Sequence, residues 1–306
     1  MATYLVTQAT GHQAQWTIQH LLAAGAKVHA VVRNPQKIPS ILESPGVSIF
    51  KGESINFEDI SRAAQGCRGV YLNTFPIPGM ETQQAKTIVD ACKKAGVKTV
   101  VACTAMGTGT KAIWDDQVTE ESQLRGYYRS KAEVEDVVRK AGFEAYTILR
   151  PGFIHVDYFL PNAYVNYPEL PTKGELAHGC EDGARVPHTD ANDIGKYAAA
   201  ALLNPDKFAG QEVEVVSDNL TVQEVRDILV KVSGREVRVR RRTPEEYEAV
   251  RSTVFGQKFH QMASAKEFSA SMTAAKEAAA KLGIPLTPLE AALRRDKDRL
   301  LECLPA

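Results

Sequence analysis

Residues 4–33 read YLVTQATGHQAQWTIQHLLAAGAKVHAVVR. An apolar strand, Tyr4–Val6, runs into a turn and then a helix whose apolar face carries Ala14, Ile18, Leu21 and Leu22. Gly25 closes that helix, and a second strand, Val28–Val32, ends at Arg33. Strand, turn, helix and strand within about thirty residues form the unit that rests a pyrophosphate on a helix N-terminus. In a Gly-x-x-Gly-x-x-Gly turn the glycines would fall at positions 8, 11 and 14, where this chain has Gln8, Gly11 and Ala14. Gly11 stands where the backbone comes closest to the pyrophosphate, and Ala14 adds only a methyl group between helix and strand. Gln8 is the serious departure, because the first glycine serves the tight turn. The segment reads as a dinucleotide site with an altered turn; the alternative is a βαβ start that binds no nucleotide.

The same alternation continues outward. Apolar runs at Val47–Lys51, Gly69–Asn73, Lys98–Cys103 and Ala145–Leu149 are separated by helical patterns near Phe57–Ala64, Glu81–Gly96 and Ser130–Ala141. Such a rhythm predicts an α/β fold: a Rossmann-type, doubly wound parallel sheet, which binds ligands at the carboxyl ends of its strands. Residues 151–190, rich in Pro, Gly, Tyr and His, read as loops of a substrate pocket. Helices at Ile194–Leu203 and Val222–Val232, a strand at Glu212–Val216 and a polar helical remainder complete the chain. The expected layout is a nucleotide-binding domain over 1–155 and a smaller α+β substrate lobe over 156–306, interleaved through a strand near 212–216 that returns to the sheet.

The chain has 306 residues with 37 basic and 37 acidic side chains, so composition points to neither a nucleic-acid nor a membrane partner. No apolar run approaches a bilayer span, and the opening MATYLVT has no basic leader pattern. Five scattered cysteines without Cys-x-x-Cys pairs argue for reduced thiols and a cytoplasmic location rather than disulfides or zinc. His155, His178 and His188 show no metal-ligand spacing, and no metal is expected. Arg238, Arg240 and Arg242 alternate as on a strand face, which suits either an acidic partner or a solvated edge that discourages strand pairing.

Two further groups carry chemistry. The second strand ends in Arg33, with Lys37 four residues on and no carboxylate to bond a ribose 2′-hydroxyl; two cations there suit a 2′-phosphate, and hence NADP(H). Tyr127 and Lys131 stand one helical turn apart and share a face. A phenol with a pKa near 10 becomes a useful acid when a neighbouring cation stabilises its phenolate. Thr104, at the carboxyl end of the fifth strand, is placed to orient a substrate oxygen beside Tyr127. The alternative is that Tyr127 and Tyr128 anchor a loop beside a solvated lysine.

The stretches TQATGHQA (7–14), AVVRNP (30–35), KG (51–52), TFPIP (74–78), ILRPGF (148–153) and HTDANDIG (188–195) together resemble the NmrA-like family. This is the atypical short-chain dehydrogenase/reductase branch that includes isoflavone-reductase-like enzymes and redox-sensing regulators. The resemblance implies a Rossmann-type fold, a preference for NADP(H), and a cofactor lined by Gly11, His12, Gln13, Arg33, Lys37, Thr74, Phe75, Pro76 and Thr104. Lys131 would sit by the nicotinamide ribose and Phe153 near the substrate. Thr7, Gln8, Thr10, Asn73 and Pro151 join the expected cofactor contacts, and Phe153, His155, Tyr158 and Tyr164 the expected pocket wall. The expected function is an NADPH-dependent reductase of a small carbonyl or conjugated substrate, aromatic or polyketide-like, with Tyr127, Lys131 and Thr104 catalytic. Its alternatives are a non-catalytic NADP(H)-sensing regulator with a protein partner and a redox-neutral isomerase or cyclase.

Overall fold

The computed structural model describes residues 1–77 and 79–306; Pro78, the end of the quoted TFPIP stretch, lies outside the described residues. By its internal contacts the chain divides into one unit of residues 1–109, 126–150 and 191–213, and a second of 110–125, 151–190 and 214–306.

The first unit is built on β1 (Thr3–Val6), β2 (Lys27–Val32), β3 (Val47–Lys51), β4 (Gly69–Leu72), β5 (Thr99–Cys103) and β6 (Ala145–Pro151). Helices α1 (His12–Ala23), α2 (Phe57–Ala64) and α3 (Met80–Lys94) connect them, followed by a helix over Arg125–Lys140. These six strands stand in the order β6-β5-β4-β1-β2-β3, and every ladder among them is parallel. Strands covered on both faces must be apolar throughout, which is why β4 and β5 read as unbroken runs and are buried at every position. The order reverses between β1 and β4, and a crevice opens at the carboxyl ends of such strands.

Alternate residues serve the two faces. Val70, Leu72, Val100 and Ala102 pack with Ile60, Ile88, Val134 and Val138 from α2, α3 and the Arg125–Lys140 helix. The opposite face carries α1 and the helix Ala191–Leu203. These two helices touch closely because Gly195 has no side chain: a Cβ there would stand 2.5 Å from the Cβ of Trp16. Trp16 has its place in this helix contact.

The second unit is not the loop region expected for 151–190. It contains β7 (Phe153–Ile154), β8 (Glu175–His178) and β9 (Val186–Thr189), with short helical turns between them. β10 (Gln211–Val215), whose residues 211–213 belong to the first unit, is the seventh strand of that unit's sheet, beside β6. Then β11 (Asp218–Leu220) pairs antiparallel with β9, and β12 (Arg238–Arg241) pairs parallel with β8. Helices follow at Val222–Ser233, Phe255–Ala265 and Ser269–Leu282. The first of them opens on a capping box between Thr221 and Glu224.

The arginines of β12 do not form one free face. Arg242 lies beyond the strand, is buried, and holds Glu169 through two hydrogen bonds of 2.6 and 2.8 Å. Arg240 is paired with Glu175 and Glu246, and Arg238 donates to the Lys173 carbonyl.

Candidate functional site

The turn after β1 decides what the switch point can hold. Thr7 is fully buried and works as a latch: its hydroxyl donates to the Asn73 carbonyl (3.0 Å) and accepts from the Asn73 N–H, tying the end of β1 to the end of β4. Gln8 follows with φ +51°, the left-handed conformation that a glycine would supply without steric cost. The turn's geometry survives the loss of its glycine, and Gln8 carries the strain. The Gly11 N–H donates to the Gln8 carbonyl at 2.9 Å, and Gly11 is the N-cap of α1. No side chain caps this helix, and its first turn holds no acidic residue. An N-terminus in that state presents amide dipoles to an anion.

A cavity of about 210 Å³ lies beside the turn, lined by Gln8, Thr10, Arg33, Ser54, Phe75 and Gln84 among others. Val31 and Val32 of β2, the Gly52–Ile55 segment after β3, and Ile77 and Met80 complete the lining. It therefore sits at the carboxyl ends of neighbouring strands, as a doubly wound sheet requires. Arg33 supplies one positive charge to this lining and Glu53 one negative charge. Lys37 is exposed and outside the lining, and His12 and Gln13 belong to the first turn of α1, where Gln13 accepts from the Tyr71 hydroxyl.

Below the cavity wall lies a charge cluster that the sequence reading missed. Glu81 is wholly buried and accepts from the Thr74 hydroxyl (2.6 Å), the Ser130 hydroxyl (2.7 Å) and Lys131 Nζ (2.6 Å). One carboxylate thus ties the Thr74–Ile77 wall to the lysine of the Tyr-x-x-x-Lys pair. Gln84 reinforces the same wall by accepting from the Phe75 N–H at 2.8 Å. Lys131 is buried rather than solvated, and its ammonium stands 5.7 Å from the centre of the Tyr127 ring. Tyr127 itself is half-buried and meets Tyr128 edge-on.

Thr104 is also committed. Its hydroxyl donates to Glu135 at 2.8 Å, and the same buried carboxylate takes Arg150 through Nε (2.9 Å) and Nη2 (2.7 Å) and Arg139 at 2.6 Å. The Thr104 proton is therefore held by Glu135, and the oxygen keeps only lone-pair capacity for a ligand. Glu81 and Glu135 lie on apolar stripes, at i, i+4, i+7 and i+11 with Ala85, Ile88 and Cys92, and beside Val134 and Val138. A carboxylate on a buried stripe was the available signal.

In the second unit, Phe153 contacts the rings of Tyr158, Tyr167 and His188. Tyr158 and His155 are interior groups: the Tyr158 hydroxyl meets His188 Nε2 at 2.8 Å, and His155 stands between Asp190 and Asp296. His188 Nδ1 faces the Val186 carbonyl at 2.7 Å, so it carries the proton and Nε2 accepts from Tyr158. Burial holds the His188 imidazole down to about 4, which keeps it neutral at pH 7. Tyr164 is exposed, and Pro151 ends β6. Among the described residues no group of three or more His, Cys, Asp or Glu is arranged to hold a metal ion, and no helix is long and apolar enough to cross a membrane.

Asp157 gives this unit a pH response. Burial pushes its carboxyl up to about 7, opposed only by the Asn162 amide at 3.1 Å. The folded state then holds a proton that the unfolded chain releases near pH 4, so this residue's contribution to stability falls as pH rises between those values. Asp157→Asn removes that loss. Its melting temperature relative to the parent is expected to be higher at pH 8 than at pH 5, and a difference independent of pH contradicts the assignment.

With this geometry in place, comparison with known proteins defines the class. The profile of the NmrA-like family matches residues 2–302, and the chain belongs to that family. Quinone oxidoreductase 2 of Escherichia coli is 23% identical over 254 residues, covering 81% of each chain. The crystal structure of the NADPH-dependent quinone oxidoreductase from that organism, complexed with NADPH, superposes with a TM-score of 0.74 over 96% of this chain and 99% of its own, at 20% identity. An NAD(P)H azoreductase of Xenophilus azovorans is 28% identical over 235 residues, 76% of this chain and 75% of that one. NmrA, a negative transcriptional regulator solved in complex with NADP, gives a TM-score of 0.73 at 21% identity, covering 97% of this chain and 96% of its own.

Proposed function

We propose that the protein is an NADP(H)-dependent reductase of a small quinone, ketone or other conjugated acceptor. The observation that carries this reading is the cavity at the carboxyl ends of β1–β3, beside an uncapped α1 N-terminus, with Arg33 and no carboxylate at the end of β2. The residues present suit the coenzyme. Gly11 and Thr10 border the place for a diphosphate, and Arg33 that for a 2′-phosphate. The named activities of the quinone oxidoreductase and azoreductase relatives support the same class.

Bound there, a dihydronicotinamide supplies a hydride to the acceptor. The chain's part is to deliver and place the matching proton. Tyr127 is the proton donor in this reading, with the Lys131 ammonium behind its ring and Glu81 keeping that ammonium in place. Thr104, its proton held by Glu135, accepts rather than donates, which suits orientation of a hydroxyl-bearing product better than polarisation of a carbonyl.

The test is consumption of NADPH, followed by loss of its absorbance, against naphthoquinones, azo dyes and simple enones. Turnover with at least one acceptor is expected. A second reading, a coenzyme-responsive regulator, is favoured by the side chain at Gln8 and the committed Thr104 hydroxyl; binding without turnover across that panel would select it.

A further inference from the structure

The reductase reading leaves the preference for a phosphorylated coenzyme to Arg33. That is too little, because Glu53 lines the same cavity and its negative charge works against a phosphate dianion there. Four features mark Gln8. Its backbone holds φ +51°, and among the described residues only one other non-glycine, Gln123, has a positive φ. Non-glycine residues enter that region at a steric cost, and such outliers gather at ligand sites. The turn is fixed on both sides of it, by Ala9 N–H to the Val31 carbonyl (3.4 Å) and Gly11 N–H to the Gln8 carbonyl (2.9 Å). Gln8 also lines the same cavity as Arg33. Finally, neither the Gln8 carboxamide nor the Arg33 guanidinium has a hydrogen-bond or ionic partner among the described residues.

A carboxamide offers two N–H donors without adding charge, and a phosphomonoester dianion presents acceptors only. A free ribose hydroxyl has less need of them, since Glu53 can accept from it. We propose that Gln8 is a specificity-determining residue: the left-handed turn brings its carboxamide to the cavity that Arg33 lines, and together they favour a 2′-phosphate over a 2′-hydroxyl. This inference rests on the coenzyme reading above and adds to it a residue at a position where the turn would ordinarily hold glycine.

The experiment is calorimetric titration of the parent, Gln8→Gly and Gln8→Glu with NADPH and with NADH, alongside the melting temperature of each variant. Gln8→Gly accepts the turn's conformation, so it is expected to melt no lower than the parent while its preference for NADPH falls about tenfold to a hundredfold, the range for a hydrogen bond to a charged group. Gln8→Glu keeps the length but offers only acceptors and a negative charge, and its preference falls further. A Gln8→Gly protein that binds both coenzymes tighter by the same factor shows a steric role alone and overturns the inference, leaving the coenzyme reading intact. A parent that binds neither coenzyme overturns both.

Discussion

Glu81→Ala is expected to destabilise the protein by about 3–5 kcal/mol, the range for removing one partner of a buried ion pair. The substitution leaves the buried Lys131 ammonium without its counter-charge and deprives the Thr74 and Ser130 hydroxyls of their common acceptor. Domains are stable by only about 5–15 kcal/mol, so this one change removes a large share of the total. Removing both charges is different. Glu81→Leu combined with Lys131→Met removes the stranded charge and is expected to cost less than Glu81→Leu alone, although the Thr74 and Ser130 hydroxyls still lose their acceptor. Urea unfolding of Glu81→Leu, Lys131→Met and the double variant measures the coupling. Additive losses would mean that the two groups do not act as a pair, against the 2.6 Å contact between them.

Tyr127→Phe is expected to lower kcat by about 10² or more while leaving NADPH affinity unchanged, as befits loss of a proton donor. The ring remains, so its packing on Tyr128 and its place over the Lys131 ammonium are kept. Only the hydroxyl is lost. Stopped-flow reduction of the best acceptor, with coenzyme binding measured separately, divides the two effects. Full turnover in the variant would remove Tyr127 from the chemistry and pass the proton to water or another group.

Most of the first unit was legible because a covered parallel sheet writes itself as apolar runs between amphipathic helices. Val47–Lys51 and Phe57–Ala64 fell at the residues read from the sequence, and the other boundaries shifted by a few positions. The Arg125–Lys140 helix starts five residues earlier than the apolar pattern from Ser130, because Arg125, Gly126 and Arg129 interrupt that pattern. The segment 151–190 was illegible for a physical reason. Its strands and helical turns are each 2–5 residues long, too short to show a period, and its interior mixes Tyr–His hydrogen bonds with buried side chains such as Leu170 and Leu176. The turn at residue 8 lay between these cases. Its sequence showed the missing glycine but not that Gln8 would keep the glycine's backbone conformation.

The reductase proposed above needs a nicotinamide dinucleotide in the crevice at the carboxyl ends of the strands. Isothermal titration of the purified protein with NADPH tests it most directly. Saturable binding at one site per chain is expected, with a Kd in roughly the micromolar range or tighter and a large loss of affinity in Arg33→Ala. Absence of binding heat, with no rise in melting temperature at saturating NADPH or NADH, would contradict the account.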